Sequence, residues 1–169
     1  MKILIALFLV GAAAMEFNKA HSGCAGQHRP SHCPLIGFKD WSQIGDSCFK
    51  YFGDSKSFLD AEIFCRCQSK SAHLASVHSA CENKQLFKLI HHHNKHEPRT
   101  WLGGFRFPQS KMFMWIDGSN WSYENWTPGN PSNYKGEEHC TEMNWSENEK
   151  WNDHSCNERK PFVCMVPLR

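Results

Sequence analysis

Nine cysteines in 169 residues constrain this chain more than any other feature. That density suits an oxidising compartment, where bridges supplement a small core, or a metal-bound fold. The amino terminus decides between them. Lys2 precedes an apolar run over residues 3–14 that ends in Ala12-Ala13-Ala14. A bilayer span needs about 20 apolar residues, and this run is shorter. A positive start, a hydrophobic middle and a small-residue end read as a signal peptide over residues 1–20. Cleavage is expected between about residues 14 and 20, Ala20 being the second small-residue end. No later stretch is apolar enough for a membrane span. The expectation is a secreted, extracellular protein with oxidised cysteines. Asn-x-Ser/Thr sequons at Asn120, Asn125 and Asn144 agree with that compartment. Pro128 follows the second sequon closely and disfavours it, which leaves Asn120 and Asn144 as the expected glycosylation sites.

Composition narrows the class further. Hydrophobic residues make up 40% and charged residues 21%, so the chain folds rather than staying disordered. Nineteen Lys and Arg against 17 Asp and Glu leave a net charge of +2. That balance speaks against a nucleic-acid partner, which is held largely by phosphate contacts. Residues 21–32 are polar and small and read as a flexible lead-in carrying Cys24. One domain over residues 33–169 is the simplest organisation, because no repeat or second composition shift interrupts it.

Helical signals fill the front of that domain. After Ser57, Phe58, Ala61, Phe64 and Cys65 recur at helix-face spacing to about Gln68. Ser79 with Glu82 three residues on is a capping box, and Leu86, Phe87, Leu89 and Ile90 form the apolar face behind it. This helix is expected to end among His91, His92, His93 and Asn94, before Pro98. Leu74-Ala75-Ser76-Val77 reads as extended. The back half reads as strands: residues 100–105, with Gly103-Gly104 where side chains would not fit, the apolar run 112–116, then Cys140-Thr141-Glu142-Met143 and Pro161-Phe162-Val163-Cys164. Asp117-Gly118-Ser119 marks a turn. Residues 121–137 form a long loop rich in Asn, Pro, Gly and Ser, and loops of that length are usually functional or disordered. Trp121, Tyr123, Trp126 and Tyr134 favour order. The fold class is α+β.

At this point the residues resemble a C-type lectin-like domain of the long form, over residues 33–165. Cys33-Pro34 with Trp41 and Cys48-Phe49 resembles the extra hairpin. Asp60-Ala61-Glu62-Ile63-Phe64-Cys65 resembles the first helix, and His73-Leu74-Ala75-Ser76-Val77-His78-Ser79 the segment joining the helices. Trp101-Leu102-Gly103-Gly104 stands where the family has a Trp-Ile-Gly-Leu strand. Trp115-Ile116-Asp117-Gly118-Ser119 and Asn125-Trp126 lead into the long loop. Trp151-Asn152-Asp153, Cys156 and Phe162-Val163-Cys164 close the domain. Length and composition are similar to the secreted single-domain lectins of fish and venoms. The resemblance implies two helices, antiparallel sheets and a long ligand-binding loop. It also implies disulfides Cys33–Cys48, Cys65–Cys164 and Cys140–Cys156, with Cys67 an alternative to Cys65. Cys67 and Cys81 could then pair, leaving Cys24 free or bridging two chains in a disulfide-linked dimer.

The resemblance also implies one Ca²⁺ ion that joins the protein to sugar hydroxyls. Such a site needs a loop bent by a cis-proline, an acid just before the next cysteine, and an Asn-Asp pair on the following strand. Pro131, Glu138 and Asn152-Asp153 stand in those places. The expected metal ligands are Asn130, Glu138, Asn152 and Asp153, and the expected carbohydrate contacts are these four with Ser132. The triplet Asn130-Pro131-Ser132 departs from the family's Glu-Pro-Asn and Gln-Pro-Asp, and Ser132 offers only a hydroxyl. Few anionic ligands predict weak calcium binding. Asn133 and His139 stand where acids of a second calcium site are usual, so one site is expected. His91, His92, His93 and His96 read as an exposed helix end, where imidazole suits the dipole, with Zn²⁺ or Cu²⁺ ligation the alternative. No His-Glu-x-x-His or Gly-x-Ser-x-Gly motif is present, so an enzyme is not expected. The reading is a calcium-dependent lectin for glycans on cells or microbes. The alternative is the same fold recognising a protein or ice surface without calcium or sugar.

Overall fold

A computed structural model describes residues 31–168. The expected signal peptide, Cys24 and most of the 21–32 lead-in lie outside the described residues. Elements follow in the order β1 (Ser31–His32), β2 (Ser42–Ile44), β3 (Ser47–Lys56), α1 (Phe58–Gln68), β4 (His73–Leu74), α2 (Ala80–His93), β5 (Thr100–Phe105), β6 (Met114–Trp115), a 3-10 turn (Tyr134–Gly136), β7 (Cys140–Met143), β8 (Trp151–His154) and β9 (Lys160–Pro167). The α+β class is the expected one, but the order is not helices first: β1, β2 and β3 precede α1. The strands join in the sequence β1-β2-β3-β9-β5-β7-β8, with β4 on β9 and β6 on β5; the β5–β9 pair is parallel, so the sheet is mixed rather than antiparallel throughout as expected. No helix among the described residues is long and apolar enough to cross a membrane.

The helix starts follow their side-chain caps. Ser57 Oγ accepts from the Asp60 N–H at 3.2 Å, and Ser79 Oγ from the Glu82 N–H at 3.1 Å, each satisfying one otherwise orphaned donor. Glu82 reaches back to the His78 N–H at 2.6 Å, one residue earlier than a capping box requires. Asn94 ends α2, its N–H donating to the Ile90 carbonyl.

Two tracts differ from expectation. Ser31–His32 is not part of a loose lead-in but pairs with Gln43 and Ser42. The apolar run 112–116 is not a continuous buried strand. Only Met114–Trp115 pairs with β5, and strand alternation sends Phe113 and Trp115 inward while Met112 is exposed. The glycine pair fits its place: a Cβ on Gly103 would stand 2.6 Å from the Leu74 carbonyl oxygen, and one on Gly104 2.5 Å from Thr141 Oγ1.

Disulfides join Cys33 to Cys48, Cys65 to Cys164 and Cys140 to Cys156. Cys67 is not bridged to Cys81. It carries a free, exposed thiol, whereas Cys81 is disulfide-bonded. Spacing explains this: Cys65 and Cys67 lie two residues apart on α1, so they face opposite sides of the helix.

Trp101, Trp115, Trp151 and Phe162 are the largest fully buried side chains. Around Trp151 gather Trp115, Trp121, Tyr123 and Trp126, with ring centroids 5.6 to 6.0 Å away. These edge-to-face contacts are a favoured aromatic geometry. The first part of the long loop is therefore anchored in the core, and only its second part is free to serve a surface.

Candidate functional site

Beyond Trp126 the loop is first tied to β8 through the backbone. The Thr127 N–H donates to the Trp151 carbonyl at 2.8 Å, and the Trp151 N–H to the Asn125 carbonyl at 2.9 Å. The Asn130 N–H then closes a turn on the Thr127 carbonyl at 2.9 Å. The Asn130–Pro131 peptide is cis, as the resemblance implied for Pro131. Asn133 takes a left-handed conformation, φ 47°, which Asn tolerates better than most residues.

Asp153, projecting from β8, holds the loop beyond Pro131. Its Oδ1 accepts the Ser132 N–H at 2.7 Å and its Oδ2 the Asn133 N–H at 2.8 Å. Arg106, just past β5, donates from Nη2 to the same Oδ2 at 3.2 Å. The guanidinium also donates to the Glu138 carbonyl, from Nε at 3.2 Å and Nη2 at 2.9 Å. It lies against the Phe113 ring, 5.1 Å from the centroid. Asp153 is 0% and Arg106 7% exposed, so this ion pair is interior. Glu138 sits higher. Its Oε2 accepts the Ser132 hydroxyl and the Tyr134 N–H, each at 2.8 Å, and its Oε1 has no hydrogen-bond partner among the described residues. Tyr134 beside it is 66% exposed.

The structure thus brings Ser132, Glu138 and Asp153 together. Asn130 stands at the turn leading into them. Asn152 joins a different group: its amide N–H donates to buried Glu142 at 2.9 Å. Glu142 also receives two hydrogen bonds from Arg99 Nε, at 2.9 and 3.0 Å, a further one from Arg99 Nη2, and Lys160 Nζ at 3.2 Å. Asn133 and His139 each leave a buried polar atom unpaired. Burial, reinforced by the Lys160 charge, lowers the pKa of His154, which follows Asp153. Trp121, Tyr123 and Trp126 are half-buried and pack against the core, and Tyr134 is the exposed aromatic of the loop.

Calcium takes six to eight oxygen ligands. Here both oxygens of Asp153 are already bound by N–H groups, Glu138 has one oxygen left, and Asn152 is turned to Glu142. A guanidinium lies against the acid that a cation would need. This donor arrangement does not fit Ca²⁺. The His91 imidazole is likewise engaged, with Glu97 at 2.5 Å.

Arg106 and Glu142 were not read as site residues. A charge directly after the apolar strand 100–105, and an acid inside the apolar Cys140–Met143 strand, were the available signals. Neither spacing names its partner, because both partnerships cross the sheet. A cleft of about 720 Å³ lined by Ser76, His78, Glu82 and Asp117 contains none of the loop residues.

The comparisons with known proteins agree on the scaffold. The profile of the Lectin C-type domain matches residues 54–166. A lectin of Pleurodeles waltl is 38% identical over 135 residues, covering 80% of this chain and 78% of that protein. Ladderlectin of Oncorhynchus mykiss is 33% identical over 168 residues, covering 92% and 85%. Among solved structures, the C-type lectin CEL-I from Cucumaria echinata superposes with a TM-score of 0.73 at 27% identity, covering 81% of this chain and 99% of that one. Herring type II antifreeze protein gives a TM-score of 0.70 at 27% identity, covering 81% and 100%. With two helices, the mixed sheet, the three bridges and a profile match across most of its length, the chain belongs to the C-type lectin domain family.

Proposed function

We propose that the protein is a secreted lectin that binds glycans on cells or microbes through the surface of residues 130–138. Asn130, Ser132 and Glu138 supply polar contacts, Tyr134 an apolar one, and Asp153 holds the loop that presents them. Asn152 acts through Glu142 rather than on the ligand. The observation that carries this reading is Glu138. One of its oxygens orders Ser132 and Tyr134, while the other is free to accept a sugar hydroxyl. Hydrogen bonds to a carboxylate are about twice as strong as neutral ones. The exposed Tyr134 ring alongside can cover the apolar face of a pyranose. The lectin names of the relatives support the same reading. Calcium, which the resemblance implied, has no step in it, because the donor set does not fit the ion.

The test is retention on immobilised mannose and galactose and binding to a broad glycan array, for the protein and for Glu138→Ala. Binding by the protein and its loss in the variant are expected. Silence across the array would overturn the proposal. A second reading, recognition of ice without calcium or sugar, is favoured by the likeness to the herring antifreeze protein. Thermal hysteresis of a concentrated solution distinguishes it.

A further inference from the structure

We propose that Arg106 is a built-in cation for the ligand loop, standing in charge and in contact where a calcium-dependent site would need a metal ion. The proposal deepens the reading of residues 130–138 as a glycan surface and rests on it only for the ligand's identity.

The geometry is specific. Asp153 is fully buried, and a buried carboxylate is stable only when paired and hydrogen-bonded. Its pairing comes from within the chain: the Ser132 and Asn133 N–H groups and the Arg106 guanidinium. The same guanidinium donates twice to the carbonyl of Glu138. Arg106 thereby links the strand under the loop, Asp153, to the residue that carries the free carboxylate oxygen. Arginine suits this task because its planar fork engages several acceptors at once and stays protonated at every relevant pH. Phe113 covers the guanidinium and the residue is 93% buried by its 7% exposure, so the cation cannot swing into solvent without dismantling the contact. A calcium ion arriving at Asp153 would compete with two backbone donors for its oxygens and lie against a like charge. Surface order that a metal would otherwise supply is therefore permanent, and the loop is ligand-ready whether or not calcium is present.

The test uses the full protein and needs no glycan. Thermal unfolding is followed in millimolar Ca²⁺ and in EDTA for the protein, Arg106→Gln and Arg106→Lys. The melting temperature of the unaltered protein is expected to be the same in both buffers. Arg106→Gln should melt lower in EDTA and regain part of the loss in Ca²⁺, since its Asp153 is left without a cation. Arg106→Lys, which keeps the charge and loses the fork, should fall between them and stay indifferent to calcium. The proposal is overturned if calcium raises the melting temperature of the unaltered protein, or if Arg106→Gln melts where that protein does. Should Arg106→Gln fail to fold, the unaltered protein and Arg106→Lys still decide. Absence of glycan binding would sink the lectin reading and leave these melting curves unaffected.

Discussion

The indole N–H of Trp151 donates to Oδ1 of Asn83 at 2.7 Å, deep in the core. Asn83 completes its amide by donating to the Glu149 carbonyl at 3.1 Å. One side chain of α2 thus fixes the strand that carries Asp153 and the hairpin before it. Asn83→Ala leaves the indole N–H and a carbonyl without their partner. Each buried group left unpaired costs about 1–3 kcal/mol. The urea midpoint should fall clearly, and an unchanged midpoint would show that the contact is dispensable.

Much of this scaffold was legible because its signals are local. Ser57 and Ser79 announced their helices and Gly103-Gly104 announced close approach, while the bend at Pro131 was implied by the family resemblance. What stayed hidden depends on pairing across the sheet. Glu142 and Asn152 face each other in register between β7 and β8, which no spacing along the chain reveals. Arg106 is separated from Asp153 by 47 residues, and only the folded sheet brings them into contact. The sequence motif Trp151-Asn152-Asp153 was intact, yet its two polar members serve different partners. Motif completeness reported the strand and not the state of its side chains.

Glu142 is the sharpest electrostatic commitment in the interior. Its carboxylate is fully buried and receives Arg99, Lys160 and Asn152. Burial lowers the pKa of Lys160, and the Glu142 charge opposes that effect. Glu142→Gln removes the only anion from this cluster while leaving two cations. Breaking a buried pair in this way costs about 3–5 kcal/mol. Exposed Glu147→Gln serves as the control, expected within about 0.5 kcal/mol of the unaltered protein. Equal denaturation curves for the two variants would refute the role assigned to Glu142.

The Cys65–Cys164 bridge spans a sequence separation of 99. In the chain-entropy account a closed loop of about 100 residues contributes about 4.7 kcal/mol. Replacing both cysteines by serine should cost about 2–5 kcal/mol. Cys65→Ala alone should do no better, because Cys67 faces out from α1 and cannot reach Cys164 without turning the helix. Peptide mapping of that variant is expected to find Cys164 unpaired. A Cys67–Cys164 peptide would show that the helix can turn.

Acidification should weaken the fold through His93. Its side chain is largely exposed, and its pKa is lowered from the usual 6.5 first by partial desolvation and then by the nearby charges of His92 and Lys50, so the effect is small. Its ring stacks on Tyr51 with centroids 6.0 Å apart. Below 6.5 the unfolded chain takes up a proton that the folded chain resists, so stability falls as pH drops towards the folded pKa. Above 6.5 both states are neutral and this contribution is complete. Urea midpoints measured between pH 7.5 and 5 should decline, and His93→Gln should decline less. Identical slopes for the two proteins would remove His93 from the account.

The two expected glycosylation sites do not offer equal chemistry once folded. Asn120 is exposed beside the turn at Gly118. Asn144 is only 9% exposed, donates its amide to the Pro98 carbonyl at 3.4 Å and accepts the Glu149 N–H at 3.1 Å. A glycan on the Asn144 nitrogen would leave it one N–H and crowd Pro98. Protein secreted from eukaryotic cells is expected to carry glycan at Asn120 and to have Asn144 bare. Enzymatic deglycosylation should shift the mass of the unaltered protein and of Asn144→Gln equally, and leave Asn120→Gln where it was. A residual shift in Asn120→Gln that disappears when Asn144 is also replaced would mean that the sugar is added before this strand closes, and that the folded contact to Pro98 yields to it.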